Sequence, residues 1–140
     1  VTVSDPIWMP CAAMVGLTAA VWLKLYADRL GEMRARRIAP QSVATARAAA
    51  TQLERTQAAE NFRNLFEVPV LFYVLCAALS LEGGSTPGFV AAAWAYVGLR
   101  SIHSLIHVTY NRVTHRFLVY VASTLLLFGM WGAFVSRIAA

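Results

Sequence analysis

Four stretches of about 20 mostly apolar residues, each long enough to cross a bilayer as a helix, leave this chain few folds to choose from. They run roughly over residues 7–27, 62–81, 87–108 and 117–135. Backbone amides inside hydrocarbon must bond within their own segment, so such stretches become helices. The sequence predicts an all-α integral membrane protein, a four-transmembrane-helix bundle forming a single domain over residues 1–140. A soluble domain of 140 residues could not hide this surface, because 59% of them are hydrophobic and 14% charged. Asp5 and Pro6 predict a capped start for the first span, and Thr86 and Pro87 for the third.

Charge then orients the bundle. The chain has 12 Lys and Arg, and all but Arg137 lie between Lys24 and Arg116. Most sit in residues 28–61 and in the link 109–116, whereas the EGGSTPG link between spans two and three has none. The positive-inside rule places the two basic segments in the cytoplasm and both termini on the non-cytoplasmic side. This is loop bias and not a basic face for nucleic acid. Asp5 before the first span, with Lys24 and Arg29 after it, reverses the charge order of a cleaved signal peptide. QSVATARAAATQLERTQAAENF (41–62) lacks Gly and Pro, which predicts a helical cytoplasmic extension of span two within the 28–61 segment. The preceding RLGEMRARR (29–37) predicts a contact with lipid headgroups. Cys11 and Cys76 fall inside spans and read as packing residues.

Two spans nevertheless carry polar side chains, which are costly at bilayer depth and are kept where paired or used. In ENFRNLFE (60–67), the residues Glu60, Arg63, Asn64 and Glu67 share one helical face. Pro69 cannot donate to the Leu65 carbonyl and predicts a kink there. In RSIHSLIHVTYNR (100–112), Arg100, His103, His107 and Tyr110 or Asn111 share another face. Antiparallel neighbours pair residues of constant index sum, and Glu67–Arg100, Asn64–His103 and Glu60–His107 satisfy a single sum. Arg100 lies about 18 Å of helix rise from Arg112, so it is deep and Glu67 is its expected partner.

A structural clasp between the helices accounts for Glu67 and Arg100. The remaining polar residues, Arg63, Glu60, His107, Arg112, Arg116 and Tyr120, make a donor-rich cluster at the cytoplasmic mouth. A cationic mouth flanked by aromatics suits an anionic amphipathic ligand. Metal is the rival use of His103 and His107, with Glu60 as a third ligand. No H-E-x-x-H pattern is present and His103 is better placed against Asn64, so no metal is expected.

Four spans in 140 residues, R-N-x-x-E in the second, R-x-x-H in the third and basic loops on one side resemble the MAPEG family. These are membrane-associated proteins in eicosanoid and glutathione metabolism. The resemblance covers essentially the whole chain and is most specific over NFRNLFEVPVLFY (61–73) and residues 100–120, with its bacterial branch in particular. It implies a homotrimer in a bacterial inner membrane, with glutathione held between neighbouring subunits near the cytoplasmic side. It also implies a glutathione-dependent transferase or peroxidase acting on lipophilic electrophiles. Arg63, Asn64 and Glu67 match glutathione-contacting positions, Arg100 matches the arginine paired with that glutamate, and His103 matches a ligand-contacting position. Arg116 and Tyr120 match an arginine and a tyrosine at the start of the fourth helix. That arginine stabilises the glutathione thiolate, because a guanidinium near sulfur favours the anion. Arg112 lies one helical turn earlier at the same mouth. His107 stands where eukaryotic members carry a ligand-binding tyrosine, Glu60 where they commonly carry arginine, and Phe117 where some carry serine. A second function class stays open beside the enzyme: a non-catalytic membrane subunit of a larger complex, or an anionic-lipid-binding protein.

Overall fold

The computed structural model describes residues 5–140, and no strand occurs among the described residues. The chain enters through a turn in which Asp5 Oδ1 accepts the Ile7 N–H (3.0 Å) and the Asp5 carbonyl accepts the Trp8 N–H (3.1 Å). Asp5 therefore caps a turn ahead of the first helix and not the helix itself. Its carboxylate is also held by Ser85, which donates its N–H (2.8 Å) and its hydroxyl. Helix α1 (Trp8–Arg36) runs past residue 27 to a left-handed stop at Arg37 (φ 54°), with Ile38 N–H returning to the Met33 carbonyl (2.9 Å). A 3₁₀ turn, Pro40–Val43, leads to α2 (Ala46–Gln52), which Thr45 caps by accepting the Ala48 N–H (3.1 Å). Next come α3 (Gln57–Asn64), α4 (Pro69–Leu81), α5 (Pro87–Val108) and α6 (Val113–Ala139). The start of α5 is as expected, with Pro87 in its first turn and Thr86 accepting the Phe89 N–H (3.4 Å). Helix α6 is longer than 117–135 at both ends.

The 41–62 segment is not the single helical extension that its propensity predicts. Leu53 is extended (φ −99°, ψ 138°), and the helix stops between Gln52 and Gln57. The cause lies in α1. The buried Glu32 carboxylate accepts the N–H groups of Glu54 (2.7 Å) and Arg55 (3.0 Å) and pairs with Arg36 (2.6 Å). A charged acceptor competes well with the carbonyls those amides would meet in a continuous helix. Val43, Ala49 and Leu53, packed against Met33 and Ile38, form a small second core here. Glu32→Ala should therefore expose the link, and trypsin cleavage after Arg55 should accelerate about tenfold relative to cleavage after Arg137. An unchanged rate would mean that Glu32 does not hold the segment.

Span two is broken where Pro69 predicts. Phe66 N–H bonds the Arg63 carbonyl (3.0 Å), Glu67 the Asn64 carbonyl (3.4 Å) and Val70 the Glu67 carbonyl (3.2 Å), all three residues back. Such bonds wind the chain about 20° more per residue than an α-helix. Residues beyond Asn64 are thereby rotated off the face that ENFRNLFE would present as one helix.

Four helical segments are long and apolar enough to cross a membrane: α1, α3 with α4 across the break, α5 and α6. Between 22% and 39% of the apolar window of each is buried within the chain, so most of each surface needs lipid or another copy. Val15, Leu23, Val74, Leu125 and Phe128 are all exposed. This is an integral, multi-pass membrane protein. Its core stacks Phe72 on Tyr96 (centroids 4.7 Å) among fully buried Met14, Leu75, Leu79, Ala93 and Leu127. The two free cysteines are buried in that core. At the link between α4 and α5, Gly83 and Gly84 take φ values of 89° and 97°, which favour glycine. Arg137 donates to the Glu82 (2.6 Å) and Gly84 (2.9 Å) carbonyls, tying the end of α6 to this turn.

Candidate functional site

Helix α5 is the spine of the polar interior. Arg100, His103, Ser104 and His107 are buried along it, facing α3 and α6. Arg100 is fully buried, and its Nη2 donates to Asn64 Oδ1 at 2.6 Å. Asn64 Nδ2 in turn donates to Glu67 Oε2 at 3.1 Å. An arginine only donates and a carboxylate only accepts, so the amide must lie this way round between them. The expected Glu67–Arg100 ion pair is therefore indirect. Glu67 is exposed, because the tight turn ahead of Pro69 carries it outward.

The single register holds in one of its three pairs. Glu60 Oε2 lies 3.5 Å from His107 Nε2, an ion-pair separation without hydrogen-bond alignment. Asn64 meets Arg100 and not His103, a shift of one helical turn. His103 instead places Nδ1 3.1 Å from the Arg116 carbonyl. A carbonyl only accepts, so in the neutral ring Nδ1 carries the proton and Nε2 keeps its lone pair. Two further buried residues, Asn61 and Ser104, bond each other (3.2 Å) between α3 and α5. They escaped the sequence analysis because short polar side chains read as helix filler.

Where α3, α5 and α6 meet, an open cleft of ≈ 210 Å³ is lined by Asn64, His103, His107, Val113, Arg116, Phe117 and Tyr120. No carboxylate lines it. Tyr120 closes the inner wall, its ring 5.8 Å from that of His103 and 5.7 Å from the Arg100 guanidinium carbon. Arg116 is steadied by Asn111, whose Oδ1 accepts from Nη1 at 2.7 Å, while Asn111 itself sits in left-handed backbone (φ 46°). Several buried polar atoms around the cleft have no partner among the described residues: Arg100 Nε and Nη1, His103 Nε2 and His107 Nδ1. Unsatisfied polar atoms at this density are rare in finished interiors and mark a place where a ligand or water completes the bonding.

Comparison with known proteins bears on what that ligand is. The MAPEG family model matches residues 7–136, nearly the whole chain. The chain belongs to the MAPEG family. Neither the curated proteins nor the solved structures give a significant match. MAPEG membership supports a membrane-associated function in glutathione or eicosanoid chemistry, and the cleft lies within the matched residues.

In this MAPEG chain the structure gathers Asn64, His103, His107, Arg116 and Tyr120 at one cleft, with Arg100 beneath and Glu67 linked through Asn64. It does not bring Arg63 and Arg112 there. Arg63 lines a separate pocket between α1, α2 and α3, and Arg112 is exposed at the N-cap of α6. Val113 and Phe117, 66% and 62% exposed, form an apolar lip on the cleft. Nothing in residue type alone distinguished them from lipid-facing neighbours. Among the described residues no three His, Cys, Asp or Glu converge as metal ligands.

Proposed function

We propose that this chain is a glutathione-dependent transferase or peroxidase acting on lipophilic electrophiles, working as a homotrimer in a bacterial inner membrane with both termini outside. The observation that carries this reading is a donor-rich cleft free of carboxylates, with Arg116 and Tyr120 on one wall and an apolar lip open towards lipid. Its residues fit an anionic thiol: Arg116 supplies positive charge, and Arg100 has two unpartnered donor atoms. When bound, glutathione supplies a thiolate that forms a carbon–sulfur bond as a leaving group departs, or reduces a hydroperoxide to alcohol and water as two glutathiones become the disulfide.

The chain's own contribution is charge and position. The Arg116 guanidinium favours the sulfur anion, and Asn111 holds that side chain in place. Tyr120 borders the sulfur or the second substrate. Asn64, His103 and His107, with Arg100 behind them, hold the peptide part, and Glu67 orients Asn64. Arg63 and Arg112 take part from the subunit surface, where a neighbouring copy would complete the cleft. The small residues Ala12, Gly16 and Ala20 lie exposed along α1, and a Cβ built on Gly16 meets nothing within 4 Å. That stripe supports close approach of a second helix.

The test is turnover by the purified protein in mild detergent, with a generic aryl halide and a lipid hydroperoxide offered separately alongside glutathione. Activity with either, in a species of trimeric mass, is the expected result. Trimeric protein that turns over neither substrate would favour the non-catalytic membrane subunit, for which the Glu60–His107 pair at the mouth is the supporting observation.

A further inference from the structure

A second cationic pocket lies on the other side of α3. It has a volume of ≈ 130 Å³ between α1, α2 and α3, and three arginines line it: Arg29 from α1, Arg55 from the link between α2 and α3, and Arg63 from α3. None of the three forms an ion pair among the described residues. The carboxylates that would otherwise neutralise them are already engaged. Lys24 pairs with Asp28 (2.8 Å), and Arg36 pairs with both Glu32 (2.6 Å) and Glu54 (3.4 Å). Glu60, the one acidic residue on the pocket wall, accepts from Thr56 Oγ1 (3.3 Å) and faces His107. The pocket thus keeps a surplus of guanidinium groups without an ion-pair partner among the described residues.

Its depth identifies what it meets. Trp22 and Tyr26 meet on α1 with their rings tilted by 60° (centroids 4.9 Å) and are 45% and 42% exposed, within two turns of Arg29. Exposed Trp and Tyr at a helix end mark the headgroup level of a bilayer. The floor of the pocket is apolar, with Leu25 and Leu53 buried. A volume well under the roughly 300–1,000 Å³ of sites for drug-sized ligands admits a head group and not a whole nucleotide. Guanidinium groups converging from separate elements match phosphate oxygens in geometry and charge.

We propose that this pocket binds the phosphate of an ester, a chemistry shared by anionic phospholipid headgroups and soluble phosphomonoesters. Occupancy ties the α2–α3 segment, through Arg55, to the end of α1 and to the bilayer surface. The pocket is separate from the cleft within the chain, and Arg63 is the one residue it shares with the proposed glutathione site.

Native mass spectrometry tests it on the full chain in detergent, equilibrated with equal phosphatidylglycerol and phosphatidylcholine, and separately with glycerol 3-phosphate alone. Wild type should retain phosphatidylglycerol in preference. The R29Q/R55Q variant should lose that preference by about tenfold, while R34Q, in the same basic stretch but off the pocket, should keep it. Arg63 stays intact, so glutathione binding remains a separate readout. Binding of glycerol 3-phosphate with the same dependence on Arg29 and Arg55 would assign the site to a soluble ester, and lipid binding alone would assign it to the headgroup. Should the double variant aggregate, R29Q and R55Q singly provide the comparison. Wild type that prefers neither lipid and binds no ester, or variants that retain phosphate as wild type does, would overturn the proposal.

Discussion

Asn64→Ala is expected to cost the folded bundle about 2–3 kcal/mol, the range for losing a buried hydrogen bond to a charged group. Arg100 is fully buried, and Asn64 Oδ1 is its one hydrogen-bond partner among the described residues. Alanine leaves the guanidinium with none and also releases Glu67. Against a typical domain stability of about 5–15 kcal/mol, a loss of that size should aggregate much of the purified protein. Glu67→Ala should cost less, since the Asn64–Arg100 bond survives it. Asn64→Asp keeps an acceptor oxygen against Arg100 and should rescue the fold. Replacing both partners, as N64L/R100M, should recover most of the loss by removing the stranded charge. The monodisperse fraction after graded heating in one detergent ranks all four. Glu67→Ala more damaging than Asn64→Ala would return Glu67 to the place of direct partner.

Arg116→Ala should lower glutathione turnover about 100-fold with little change in glutathione affinity, the pattern for a group that stabilises developing or resting negative charge. The substitution leaves the fold intact, because His103 bonds the main-chain carbonyl of residue 116 and not its side chain. Arg116→Lys should restore part of the rate, since it keeps the charge and loses the planar fork that Asn111 holds. Equal loss of affinity and turnover would make Arg116 a residue of the binding surface alone.

How far these features were legible in the sequence depends on whether their causes are local. Thr86 and Pro87 open α5 as read, because a cap and a proline act on their own turn. The Pro69 break is legible for the same reason, but its effect on the neighbouring contacts is not local. A constant index sum assumes unbroken helices, and the tight turn at residues 65–68 carries Glu67 outward, leaving Arg100 to bond Asn64 instead. The break at Leu53 was invisible because it is imposed from α1 by Glu32, distant in sequence, on a segment of high helix propensity. At the cleft, the polar residues declared themselves by standing in apolar spans. Val113 could not, and Phe117 stood out only beside the serine of some MAPEG members, since an apolar lip and a lipid-facing surface have the same composition.

Thiolate absorbance tests most directly the claim that this cleft holds glutathione as its thiolate. Glutathione titrated at neutral pH into the wild-type protein in mild detergent should give a saturable ultraviolet difference signal. Arg116→Ala should reduce that signal about tenfold or more, in line with a guanidinium that shifts a neighbouring acid by about 1–3 units, while calorimetry still shows the tripeptide binding. Folded, trimeric wild-type protein that gives no thiolate signal at millimolar glutathione would contradict the claim.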